Sequence, residues 1–342
     1  MQRRFARYAA VLLAAPLVLL GVQSAPQTVS AASKAPSAST AAKARANFIK
    51  DMSAHATALS GGNWTSPTAE HAGKATAANG TVSETPTYNW SGYADSESGT
   101  KTVTYVSGNW TMPGVTCPTE PYRNSDAFLA NWVGIDGFND STVEQLGTAA
   151  ECYEGATYYY VWYEMYPADT VEEGTTACIN NNFNCPEPGD QISASVTVTP
   201  GSSGNNDYTL KLTDHSRPRE SFSTTATCAT ATCVDSSGEW VIERPAFSLP
   251  FGDQMLPLTD FDRTSFNAGD IVSGGKYSAI QGFNDGPVYD MPMMDDSGSY
   301  YLDCVDQPRR PGSLLSITDT SACPAAAPTP SGGFETSWDS GF

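Results

Sequence analysis

Ile192-Ser193-Ala194-Ser195-Val196-Thr197-Val198 alternates apolar or small side chains with polar ones over seven residues. Successive side chains of a β-strand point to opposite faces, so this pattern lays one face on a core and turns the other away. The same period recurs on both sides of it. Thr102-Val103-Thr104-Tyr105-Val106 and Tyr158 to Tyr166 precede it, and Tyr208-Thr209-Leu210-Lys211-Leu212 follows. Turn-forming clusters such as Asn205-Asn206-Asp207 and Asp235-Ser236-Ser237-Gly238 separate the runs. No stretch holds a helical period for three turns. Many short strands with turns between them indicate an antiparallel sandwich or barrel.

The ends of the chain have a different texture. Arg3, Arg4 and Arg7 precede an apolar run from Ala9 to Val22, with small residues at Val29-Ser30-Ala31. That is the layout of a secretory signal peptide, expected over residues 1–32. The run is short for a membrane span, which needs about 20 residues. Residues 33–85 are rich in Ala, Ser, Thr and Gly and hold five Lys/Arg against Asp51, Glu70 and Glu84. Such a segment cannot build a core of its own, and its place after a signal peptide suggests a removable propeptide. The folded domain is expected over 86–323. Residues 324–342, rich in Pro, Ala, Ser and Gly, read as a flexible C-terminal tail.

Charge and cysteine content narrow the function. The whole chain carries a formal charge of −19. From Pro86 onward there are 10 Lys/Arg against 34 Asp/Glu, a net of −24. Nucleic acid and anionic membranes are poor partners for that surface. Acid neutralises the carboxylates, which suits a protein working at low pH. Eight cysteines in an exported chain read as up to four disulfides. Short loops suggest Cys178–Cys185, Cys228–Cys233 and Cys304–Cys323, leaving Cys117–Cys152. No CxxC pair supports a zinc site.

The catalytic chemistry follows by elimination. A Ser-His-Asp triad or Cys-His pair needs an imidazole base. The domain holds one histidine, His215, in the polar run Thr213-Asp214-His215-Ser216-Arg217-Pro218. Asp136-Gly137 and Asp270-Ile271 do not supply the two Asp loops of an aspartic protease. Carboxylate and amide chemistry remains. Four segments embed such groups among aromatics: Asn89-Trp90-Ser91-Gly92-Tyr93, Trp132-Val133-Gly134-Ile135-Asp136-Gly137 leading to Glu144-Gln145-Leu146-Gly147, Trp162-Tyr163-Glu164-Met165-Tyr166-Pro167, and Gly238-Glu239-Trp240-Val241-Ile242-Glu243. In strands, Glu239, Val241 and Glu243 share one face, as do Tyr160, Trp162, Glu164 and Tyr166. A Glu among aromatics on a sheet face is costly unless paired or used.

In this order and spacing the four segments resemble the glutamic peptidases, or eqolisins, over about Tyr88 to Phe266. The resemblance implies a β-sandwich of two large antiparallel sheets (concanavalin- or jelly-roll-like), no metal or organic cofactor, and protein or peptide substrates. A monomer, secreted and restrained by its own propeptide, is expected. Gln145 falls on the catalytic glutamine and Glu243 on the catalytic glutamate. Trp90, Trp132, Asp136, Glu164 and Glu239 are expected around them as substrate-binding or supporting groups. The strand alone does not choose between Glu243 and Glu239, which share a face. Some relatives carry an Asp four residues after the glutamine, where this chain has Ala149. A carbohydrate-binding module or a glycoside hydrolase using two of Glu164, Glu239 and Glu243 is the rival reading. The hydrolase requires two carboxyls facing each other at about 5–10 Å.

Overall fold

In the computed structural model, the residues described are 76–78, 82–96, 101–118, 127–153, 155–168, 170–173, 186–202, 204–228, 233–249, 252–280, 287–295, 300–306 and 333–338. The expected signal peptide and most of the expected propeptide lie outside them.

The alternating runs become strands of two nine-stranded sheets. The first sheet takes β1 (Thr76–Ala78), β2 (Val82–Glu84), β3 (Trp90–Ser96), β5 (Ala127–Ile135) and β6 (Val143–Tyr153). It also takes β7 (Ala156–Tyr166), β8 (Val171–Glu173), β12 (Ser237–Glu243) and β17 (Val288–Met291). Their order is β1-β2-β17-β3-β12-β5-β6-β7-β8. The second sheet holds β4 (Val103–Thr111), β9 (Gln191–Pro200), β10 (Asn206–Asp214), β11 (Phe222–Thr227) and β15 (Arg263–Ser273). With them run β16 (Lys276–Ala279), β18 (Met293–Met294), β19 (Tyr301–Asp306) and β20 (Phe334–Trp338). Its path is β11-β10-β9-β4-β15-β20-β19-β18, with β16 on β15. A separate hairpin, β13 (Ala246–Leu249) with β14 (Gly252–Met255), follows β12. The fold is an all-β sandwich, mostly antiparallel; β2 runs parallel to β17.

Two apolar clusters follow from the period of two. The larger fills the space between the sheets and includes Tyr93, Val133, Leu146, Trp240 and Ile242 from the first sheet with Val106, Val196, Leu210, Phe266 and Ile271 from the second. The smaller lies on the outer face of the first sheet and gathers Trp90, Ala130, Trp132, Ala149, Tyr160, Trp162, Tyr166 and Val241. Central strands β3, β5 and β12 are therefore buried on both faces. Two expected disulfides are formed, Cys117–Cys152 and Cys228–Cys233. Cys304 is disulfide-bonded as well. Cys178, Cys185 and Cys323 lie outside the described residues.

Described strands also occur on either side of the expected limits of the domain. The stretch read as a flexible tail carries β20, hydrogen-bonded between β15 and β19. Its Phe334 is fully buried, stacked on Phe266 at 4.9 Å and edge-on to Tyr93 at 4.9 Å. The Pro- and Ala-rich residues before it masked a five-residue strand. At the other end, β1 and β2 fall inside the stretch read as propeptide, and Val82 reaches the inter-sheet core.

Candidate active site

Strand register decides which side chains share the outer face of the first sheet. Gln145 on β6 pairs with Gly134 on β5, and Gly134 pairs with Glu239 on β12. On its other side Gln145 pairs with Glu164 on β7. One row therefore runs Glu239–Gly134–Gln145–Glu164. A second row, four residues along, runs Trp90–Glu243–Ala130–Ala149–Tyr160. Between them lies Val241–Trp132–Gly147–Trp162.

Trp132 links the two outer rows. Its indole Nε1 donates to Glu243 Oε2 at 2.8 Å. The far end of the same ring lies over Gly134, where an added Cβ would come within 2.9 Å of the ring and 3.2 Å of Gln145 Cβ. Gly147 lets the ring sit there, since a Cβ on it would stand 2.0 Å from Asn131 O and 2.7 Å from Trp132 Cβ. Trp90 packs edge-on against Trp132, with ring centroids 4.9 Å apart. Asn89 Nδ2 adds a longer contact to Glu243 Oε1, 3.4 Å.

Glu243 is thus a carboxylate in an aromatic wall. Burial pushes its pKa up to about 7, while the N–H groups of Trp90, Trp132 and Asn89 hold it down. Trp132 and Asn89 are the donors with good hydrogen-bond geometry; the Trp90 indole acts as a nearby dipole. Gln145 is anchored from the opposite side. Its Nε2 donates to Glu164 Oε2 at 2.6 Å, and Thr170 Oγ1 donates to Glu164 Oε1 at 2.6 Å. Gln145 keeps an unpartnered Oε1 and a second N–H.

Glu239 shares the face but not the environment. Neither of its oxygens finds a donor of good geometry, and burial with the charges of Asp136, Asp140 and Asp95 holds its pKa well above the usual range. Glu243 and Gln145 are each 5% exposed, whereas Glu239 is 0% exposed. Among the described residues no group of His, Cys, Asp and Glu side chains is placed to hold a metal ion.

The profile of the Peptidase A4 family matches residues 88–298, more than half of the chain and all four of these segments. This chain belongs to that family. It is a glutamic-type peptidase, a hydrolase of peptide bonds. A search of curated proteins returns no match. Among solved structures, aspergilloglutamic peptidase from Aspergillus niger matches at 21% identity with a TM-score of 0.36. That alignment covers 62% of this chain and 99% of the other.

Within the peptidase, the expected site residues divide. Trp90, Trp132 and Glu243 meet at one end of the outer face, and Gln145 and Glu164 at the other. Asp136 has partners of its own. Expected beside the pair, it directly follows β5 in a left-handed conformation, φ 69°. Its carboxylate instead accepts the backbone N–H groups of Val234, Asp235 and Ser236 at 2.6–2.8 Å. These bonds hold the loop that feeds β12. The carboxylate absent at Ala149 has its nearest counterpart on β6 in Glu151, two residues on, which accepts Tyr160 Oη–H at 2.9 Å. Asn89 and Thr170 were missed by sequence reasoning. The Asn89-Trp90 start of the first segment signalled Asn89; Thr170 carries no pattern.

Proposed function

We propose that this chain is a secreted endopeptidase that works in acid, with Glu243 and Gln145 as its catalytic pair. The observation that carries this reading is their shared face: a carboxylate held by Trp132, and an amide held by Glu164 with one N–H to spare. Ionised Glu243 takes a proton from a water held against its own carboxylate. The water oxygen attacks the peptide carbonyl, and the spare N–H of Gln145 stabilises the oxyanion. Glu243 then returns the proton to the leaving amine. An amide suits the oxyanion role because it does not titrate.

Secretion and a zymogen stage fit the same reading. The leader has the layout of a signal peptide, and the disulfides suit an oxidising compartment. The stretch 33–85 is mildly basic, the domain is strongly acidic, and β2 of that stretch is already hydrogen-bonded to β17.

The test is casein cleavage by the processed enzyme from about pH 2 to 8, repeated with a peptide of residues 33–85 added. The rising limb of kcat/KM reports the free enzyme's base. Burial brings Glu243 to about 7, so the ionised base grows in, and that limb rises, over the range just below neutral. Cleavage is expected to peak in mildly acidic solution, with inhibition by the peptide strongest near pH 6–7. Absence of cleavage at every pH, together with glycan binding, would transfer the chain to the carbohydrate-active reading. Cleavage untouched by the peptide would remove the zymogen claim alone.

A further inference from the structure

We infer that Thr170 is a positioning residue for the oxyanion-stabilising amide, acting through Glu164. The inference rests on the proposed role of Gln145 and adds what decides its orientation. A glutamine amide has two ends of opposite character. Turned one way it offers N–H to a developing oxyanion; turned by 180° it offers a carbonyl oxygen, which repels it. Apart from Glu239, which lies across Gly134 in the same row and makes no hydrogen bond to the amide, the face around Gln145 offers little to make that choice. Gly134 and Gly147 have no side chain, and Trp132 and Trp162 present rings.

Glu164 makes the choice as long as it presents a bare oxygen. Its Oε2 accepts Gln145 Nε2–H at 2.6 Å, which fixes nitrogen toward β7 and leaves the second N–H of the same nitrogen for the substrate. Thr170 sets which way Glu164 itself faces. Its hydroxyl donates to Oε1 at 2.6 Å, so the carboxylate is gripped at both oxygens. Both residues are buried. Thr170 lies in the short turn between β7 and β8, after Tyr166-Pro167, and so ties the amide to the edge of the sheet. The chain Thr170–Glu164–Gln145 is a relay of three hydrogen-bonding groups, of which only the last is placed to touch substrate. Charge-assisted bonds of this length are among the stronger kind, and support of this sort keeps catalytic groups within a few tenths of an ångström of their working positions.

The experiment compares Thr170→Val, Thr170→Ala and Thr170→Ser in the full processed enzyme on one peptide substrate, with thermal melts of each. Valine keeps the shape and removes the donor; serine restores the donor without the methyl. Loss of a positioned donor predicts a fall in kcat of about 10- to 100-fold for valine and alanine, with KM within about twofold. Serine should recover to within about threefold of wild type. Full activity in folded valine or alanine variants overturns the inference. So does a serine variant as impaired as valine, which would assign the site to methyl packing. Gln145→Ala and Glu243→Gln, run alongside, separate the two readings. If they stay active the catalytic pair is wrong, whereas a dead pair with an active valine variant removes only Thr170.

Discussion

Glu243→Gln lowers kcat/KM for peptide cleavage by about 10³-fold or more, in the range expected for loss of a general base and acid, while the folded protein persists. The reason lies in what glutamine keeps. Its carbonyl oxygen still accepts the Trp132 indole N–H that now reaches Glu243 Oε2 at 2.8 Å. Its volume matches, so Trp90 and Trp132 retain their edge contact. Below pH 7 the replacement is also nearly neutral for stability, because burial already favours the uncharged form of Glu243. What disappears is the ability to take a proton from water and return it. Glu239→Gln is the companion. The register places Glu239, not Glu243, directly across Gly134 from Gln145. Exposure and hydrogen-bond donors favour Glu243. Activity surviving in Glu243→Gln and lost in Glu239→Gln would transfer the role to the residue in Gln145's own row. Activity surviving in both would sink the glutamate–glutamine mechanism.

The ambiguity between the two glutamates shows what a sequence does and does not carry. The period of two is local, so the division of β12 into Trp240 and Ile242 on one side and Glu239, Val241 and Glu243 on the other was legible. Register is not local. It depends on which residue of β5 meets which residue of β6 and β12, and the loops between them do not encode that simply. The segment Trp132 to Gly137 marked Asp136 as a group supporting the pair, but not the partners of its carboxylate. A left-handed backbone turns its carboxylate onto the Val234–Ser236 backbone, a contact across about a hundred residues. Thr170 was invisible because it follows Pro167 and Ala168 in a turn without periodicity. β20 was hidden for a compositional reason. Five residues, Phe334-Glu335-Thr336-Ser337-Trp338, are a sufficient strand when one aromatic fills a gap beside Phe266, but they sit in a segment whose average composition argues for disorder.

The melting temperature is expected to be highest near pH 4 and to fall by about 10 °C or more by pH 8, given roughly 2–4 °C per kcal/mol for a domain of this size. The cause is a set of carboxyl groups at one end of the sandwich. Asp136, Glu144, Asp235 and Glu239 are all buried. Burial raises each of them, and the charges that add to the rise come from one another and from Asp140 and Asp95. Asp136 is brought to about 7 even with three backbone N–H groups holding it down. Glu144 supplies a geometric argument for the same state. Its Oε1 lies 3.0 Å from Cys233 Sγ, a disulfide sulfur with no proton to give. The contact is a hydrogen bond only when Glu144 itself carries the proton. These groups have folded-state values above their unfolded ones, so their stabilisation is complete below about pH 4 and is lost as pH rises through 7 and beyond. A tenfold difference in proton affinity between the folded and unfolded chain is worth about 1.4 kcal/mol. A single group moved from 3.8 to about 7, as Asp136 is, therefore costs on the order of 4 kcal/mol once ionised. The cluster also joins the sheets, since Asp235 accepts Tyr208 Oη–H at 2.6 Å and Asn206 Nδ2–H at 2.6 Å from β10. Melts of wild type and Glu144→Gln from pH 3 to 8 decide the matter. Glutamine keeps a donor toward the sulfur and cannot ionise, so the variant should match wild type at pH 4 and exceed it at pH 8. A wild-type melting temperature that is flat or rising across that range contradicts the expectation. A falling one that Glu144→Gln does not soften places the instability in the other carboxyls of the cluster. For Asp136 the linkage spreads the loss over the interval from about pH 4 to about 7, so stability should already be falling on the acid side of neutral and reach its lower level above it.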